Sequence, residues 1–167
     1  MVRQQGCVSR AGIEWISAAA PDPLEAQAAW VCRPSETVLI RVGDVLDAVV
    51  MRADTGAAVL DRLRGRGVDV GAVIGRLHRN RWAWLIGPGS RRVWSGLVPN
   101  VASSEACWWR YVGRPGVLTV PGPEQVDRAS NFLTWVVPPG SGVTNLTAVH
   151  PLASAFLSLA RDREVTA

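Results

Sequence analysis

The residues able to do chemistry are few, and most are acids and arginines. Asp44, Asp47, Asp54 and Asp61 are the densest acidic set, gathered around the stretch DAVVMRADTGAAVLDRL (47–63). Carboxylates at a strand end before a helix could hold a divalent metal, because hard cations take several oxygen ligands close together. Here the strand ends in Arg52-Ala53-Asp54. Asp44 and Asp47 suit a turn, and Asp61 suits a solvated helix face beside Arg62 or Arg64, so no metal is expected. His78 in RLHRN and His150 in AVHPL have no second ligand at metal spacing, and HxxxH, HExxH and CxxC are missing. Gly140-Ser141-Gly142 follows two prolines and reads as a loop rather than a nucleophile elbow. GRGVDVG and GPGS match neither a dinucleotide nor a P-loop fingerprint; a helix-ending glycine and a turn account for them. No cofactor is expected.

What remains is arginine and tryptophan. All 18 basic residues are arginine, and residues 76–114 hold seven of them against Glu105 alone. A segregated positive stretch attracts anions. The same stretch carries Trp82 and Trp84, two apart and so on one strand face, and Trp108 and Trp109, adjacent and so on opposite faces. One reading is a platform on which bases stack, with Arg79, Arg81, Arg91, Arg92, Arg110 and Arg114 as phosphate contacts. The other is that the eight tryptophans fill a core and arginines rim it.

The elements that must position these residues are read from local signals. Across residues 9–31 two short helices are expected, the second opened by Asp22-Pro23-Leu24-Glu25, with Leu24, Ala28 and Val31 on one face and Trp30 beside them. TVLIRV (37–42) and DAVVMR (47–52) are strands joined tightly through Gly43-Asp44. DTGAAVLDRLRGRG is a helix capped by Asp54, with Val59, Leu60 and Leu63 inward and Gly65 and Gly67 ending it. Strands are expected at 70–75, 81–87, 93–98, 107–112, 117–120 and 133–137, and a helix at 149–163 that tolerates Pro151 only in its first turn. The chain reads as one α+β domain over 1–167: a helical segment (9–31), a core of mixed or antiparallel short strands (37–137) flanked by helices, and a C-terminal helix.

At 167 residues, 48% hydrophobic and 19% charged, a packed core is affordable and disorder is excluded. No apolar run reaches the ~20 residues of a membrane span, and the N-terminus lacks a signal-peptide core, so a cytoplasmic location is expected. Cys7, Cys32 and Cys107 are then free thiols, and the Asn145-Leu146-Thr147 sequon carries no message.

The order of elements from about 37 to 137 resembles the N-terminal domain of the bifunctional primase/polymerases, the prim-pol branch of the archaeo-eukaryotic primase superfamily. DAVVMRADTGAAVLDRL resembles that family's hhhDhD strand and glycine-led helix, RNRWAWLIGPG its GGxHhYF strand, RPGVLTVPGP its GGYVVAPPS segment, and FLTWVVPP its later tryptophan strand. The resemblance implies an architecture derived from the RNA-recognition-motif fold. It also implies that the family's metal-binding acids fall on Arg52, Asp54 and Arg110, and its nucleotide-contacting histidine on Trp82. Two metal ligands replaced by cations imply a catalytically inactive domain. Its expected role is a binding module for a nucleotide or single-stranded nucleic acid, with Arg52, Asp54, Arg79, Arg81, Trp82, Trp84, Arg110 and Arg114 as the ligand-binding set. The alternatives are a protein-interaction or regulatory domain without nucleotide binding and, third, a residual metal-dependent primase or polymerase.

Overall fold

The N-terminal helices start where a side chain caps them. In the computed structural model, which describes residues 8–98, 107–124 and 133–166, helix α1 (Arg10–Ser17) opens on Ser9, whose hydroxyl accepts the Gly12 N–H at 3.1 Å. Helix α2 (Pro23–Cys32) opens on Asp22, which accepts the Glu25 N–H at 2.9 Å, with proline at the first position. Cys7 and Glu105 lie outside the described residues; Cys32 and Cys107 are free thiols, exposed and buried respectively.

Strand β1 (Val38–Arg41) follows, then β2 (Asp47–Arg52), which runs without a break into helix α3 (Ala53–Gly65). That helix starts one residue before the expected cap. The Ala53 N–H donates to the Asn80 carbonyl, Arg52 takes the cap position, and Asp54 falls in the first turn, where a negative charge suits the helix dipole. Val59, Leu60 and Leu63 are buried and Gly67 leaves the helix at φ +67°, as their spacing implies. Strand β3 (Val73–Arg76), a 3₁₀ turn (Leu77–Arg79), strand β4 (Arg81–Ile86) and helix α4 (Arg91–Leu97) come next. Strands β5 (Trp109–Val112), β6 (Val117–Val120) and β7 (Leu133–Val137) precede helix α5 (Val149–Thr166), which holds Pro151 in its first turn.

The architecture is α+β. Five strands form an antiparallel sheet in the order β5-β2-β4-β3-β7, and β1 pairs with β6 in a separate two-stranded sheet. The run β2-α3-β3-β4-α4-β5 with the order β5-β2-β4-β3 is the split βαββαβ arrangement, to which β7 adds an edge strand. Helices α3, α4 and α5 cover one face, over Val49, Met51, Val73, Trp84 and Ile86. On the other face Ala48, Ile74, Ala83 and Leu85 share a second core with α1, α2 and the small sheet. Among the described residues no helix is long and apolar enough to cross a membrane.

Three expectations are corrected. Residues 93–98 are not a strand: Arg91–Leu97 is helical, with the Trp94 N–H donating to the Ser90 carbonyl. A six-residue apolar run is ambiguous in period, and burial decides it: Trp94 turns inward against Trp109 (5.7 Å, edge to face) and Phe156 (6.0 Å), while Val93 stays 40% exposed. Helix α2 presents the opposite side from the one expected. Leu24, Ala28 and Val31 face solvent, and Ala26 and Trp30 are buried, the Trp30 indole N–H donating to the Glu36 carbonyl at 2.9 Å. One indole buries more apolar area than the three smaller side chains and here finds a hydrogen-bond partner as well. The strands on either side of Gly43-Asp44 are adjacent in sequence yet belong to different sheets.

The face of β4 toward the helices is tightly fitted. A β-carbon on Gly56 of α3 would stand 2.7 Å from Cε3 of Trp82. Glycine to alanine in an exposed helix interior is worth up to ~1 kcal/mol of added stability. Gly56→Ala is expected to destabilise instead, by about 1–3 kcal/mol for an overpacked contact, lowering the urea midpoint at unchanged m-value.

Candidate anion-binding groove on the open sheet face

Strand parity builds the site. Along β2, β4 and β5 the residues alternate between the helical face and the open face, so Met51, Trp82 and Trp109 point one way and Val50, Arg81 and Arg110 the other. The small sheet, α1 and α2 close the open face at one end, over Ala48 and Leu85. The end where Arg76 pairs with Arg81, and Arg81 with Arg52, is left as a groove of ≈ 740 Å³. Its floor is Val50, Ile74, Ala83 and Val112; β6 supplies Val117, Leu118 and Thr119; Arg76, Arg79, Arg81 and Arg110 surround it with Trp108.

Among the described residues no carboxylate lines this space. Among the described residues none of these four arginines is in an ion pair, whereas Arg52, Arg62, Arg114 and Arg163 each are. Like charges directly across a ladder destabilise a sheet, so an unneutralised Arg76–Arg81 pair is a local cost that an anion would remove. The Arg81 guanidinium lies over the Trp108 ring, 3.5 Å from its centroid. That contact holds a cation at the rim and keeps an aromatic face beside it.

The sequence-based set divides. Arg79, Arg81 and Arg110 line the groove. Trp82 borders it, but its indole packs on the helical side against Gly56. Trp84 shares that side and is fully buried, so it offers no surface to a ligand. Arg52 lies on the same sheet face as Arg110, two residues along β2 from Arg110's partner Val50, but its guanidinium turns to Asp54, at 3.1 and 3.3 Å. That side-chain hydrogen bond holds the Asp54 carboxyl below the usual carboxylate range, against a smaller opposing effect of burial and with help from the Thr55 N–H and the charges of Arg52 and Arg163. Arg114 sits apart, paired with Asp44 at 3.5 Å. Arg52 and Asp54 therefore form a strand-end ion pair outside the groove rather than part of its lining.

One residue that matters here escaped the sequence reading, and a second was named there without its side of the sheet. Arg76 ends β3 and faces the groove, and its signal was strand parity: it sits two residues after the inward Ile74. Trp108, rather than Trp82 or Trp84, supplies the accessible ring; its alternation with Trp109, which packs on Trp94, was legible, but not which of the two faced out. None of the eight tryptophans is exposed as a surface patch. Among the described residues no three His, Cys, Asp or Glu side chains gather in a way that could hold a metal ion. No family model, curated protein or solved structure matches the chain.

Proposed function

We propose that this protein is a binding module for single-stranded nucleic acid or a nucleotide, built on a primase/polymerase-like frame that has lost catalysis, and that the open-face groove is its site. The observation that carries this reading is four arginines around an apolar floor, with no carboxylate among the described lining residues and an aromatic ring at the rim. Guanidinium groups match phosphate oxygens in pairs, and flat bases stack on an indole or a guanidinium plane. The split βαββαβ core agrees with the frame, and the positions where the resemblance puts metal ligands carry Arg52 and Arg110. Titration of the intrinsic tryptophan fluorescence with short oligo(dT) tests it. Quenching that is independent of Mg²⁺ and weakens steeply between 50 and 200 mM salt (on the order of a logarithmic slope of −2 to −3 for three or four phosphates) is the expected result. No response to oligo(dT) or to nucleoside triphosphates at low salt would remove the reading.

A second reading, a protein-interaction domain, is favoured by one observation. Leu24 and Val31 of α2 are 76% and 84% exposed and, with the exposed Ala28 between them, form an apolar stripe that no described residue covers. The two readings use different surfaces, so Leu24→Glu/Val31→Glu is expected to leave oligonucleotide binding unchanged.

A further inference from the structure

We infer that the groove takes a single strand by its end, holding a terminal phosphomonoester at Arg76, His78 and Arg79 while a later base of the strand lies against Trp108; this rests on the anion-binding reading above. Beside the groove is a second hollow of ≈ 320 Å³, lined by Arg76, His78, Arg79, Thr119 and Leu133. Arg76, Arg79 and Thr119 line both spaces, so the arginines stand where the two meet. Two guanidinium groups, an imidazole and a hydroxyl thus border one small space, with no carboxylate among the described residues that line it. An internal phosphodiester carries one negative charge and two unbridged oxygens, which one guanidinium pairs with. A terminal phosphate carries about −1.5 to −2 charges at neutral pH and three such oxygens, which matches the larger donor set.

The separation of the two ends argues for a strand over a lone nucleotide. Trp108 immediately precedes β5, and Arg76 ends β3, with β2 and β4 between them. Arg110 stands on β5, Arg81 on β4 and Arg76 on β3, so the cations are spread over strands whose backbones span roughly 14 Å, three intervals of about 4.8 Å. A short oligonucleotide meets these cations in turn along the rim, where a single nucleotide meets fewer of them.

Oligo(dT) six nucleotides long, with a 5′-phosphate, with a 3′-phosphate, or with hydroxyls at both ends, tests this by fluorescence titration of the whole chain. One phosphorylated form is expected to bind about tenfold more tightly than the hydroxyl-ended form, the gain of at least one charge-assisted hydrogen bond; which form does so gives the strand's direction. His78 is exposed and lines the hollow but not the groove, so His78→Ala is expected to reduce that preference and leave the hydroxyl-ended affinity largely intact. Equal binding of all three oligonucleotides to the unaltered protein overturns the end-recognition inference and leaves the groove's reading standing. A preference undiminished in His78→Ala overturns the placement of the phosphate. Binding of none of the three overturns both.

Discussion

Arg81→Glu/Arg110→Glu is expected to weaken binding of short single-stranded DNA by about 100-fold or more while leaving the circular dichroism spectrum and the thermal midpoint nearly unchanged. Each arginine can give one charge-assisted hydrogen bond to a phosphate, worth ~1.5–3 kcal/mol, and two such losses already amount to a hundredfold. Reversing the sign adds repulsion between glutamate and phosphate. The fold is spared because Arg110 is exposed, Arg81 is half-buried at the rim, and neither belongs to an ion pair among the described residues. The salt dependence is the more specific readout. Two lost phosphate contacts flatten the slope of log K against log salt by about 1.4 for a single strand. Arg52→Ala is the informative control. Arg52 lies on the same sheet face but is committed to Asp54, so its removal is expected to move affinity far less than either groove arginine. An Arg52→Ala effect as large as that of the double reversal would mean that the ligand reaches the strand end, outside the groove described.

The second large effect is on stability, at the opposite end of β2. Asp47→Ala is expected to destabilise the protein by about 2–4 kcal/mol. Asp47 is 2% exposed and accepts the Tyr111 hydroxyl and, at 2.8 Å, the Gly89 N–H, joining β2, β5 and the turn before α4. Truncation leaves the buried Tyr111 hydroxyl and the Gly89 N–H without their acceptor, at ~1–3 kcal/mol each. Urea unfolding measures this as a lower midpoint at unchanged slope; a loss below about 1 kcal/mol would mean that water replaces the carboxylate. The same contact predicts a pH dependence. Burial, and then the hydrogen bond and negative charge of Asp47, push the Tyr111 hydroxyl above its ordinary value, against a smaller opposing effect of the Arg91 charge. The folded state thus holds that proton more tightly than the unfolded chain. The stabilisation is fully present below about pH 10 and is lost as pH rises beyond it. Tyr111→Phe is expected to lower stability at neutral pH and to flatten the alkaline decline.

Much of the candidate site was legible in the residues that build it, and the rest was not, for a definite reason. The concentration of arginine between residues 76 and 114 pointed to an anion, and Arg79, Arg81 and Arg110 meet in one groove. Arg52 was drawn in by position along a motif and Trp84 by sharing a strand face with Trp82, and neither says where a side chain ends. Arg52 found a carboxylate two residues away, which a flexible guanidinium takes at little entropic cost. Trp84 found the dry side of the sheet, where an indole gains most from burial.

Local signals determined the α+β class, the capped helices, the positions of the strands at 38–41, 47–52, 81–86, 117–120 and 133–137, and the glycines that end α3. They did so because caps, β-branched runs and glycine turns act over a few residues and need no partner. Tertiary structure alone decided that residues 91–97 coil, that α2 turns Trp30 inward and its leucine outward, and that β1 leaves the sheet of β2 to pair with β6. It also decided which arginines share a face, since that follows from register between strands distant in sequence. A shift of one residue in β4 would have sent Arg81 into the helical core and Trp82 into the groove, and the same shift in β5 would have turned Arg110 inward. The balance that forbids such a shift, burial of Val49, Met51, Trp84 and Ile86 together on one side, exists only once the sheet has formed.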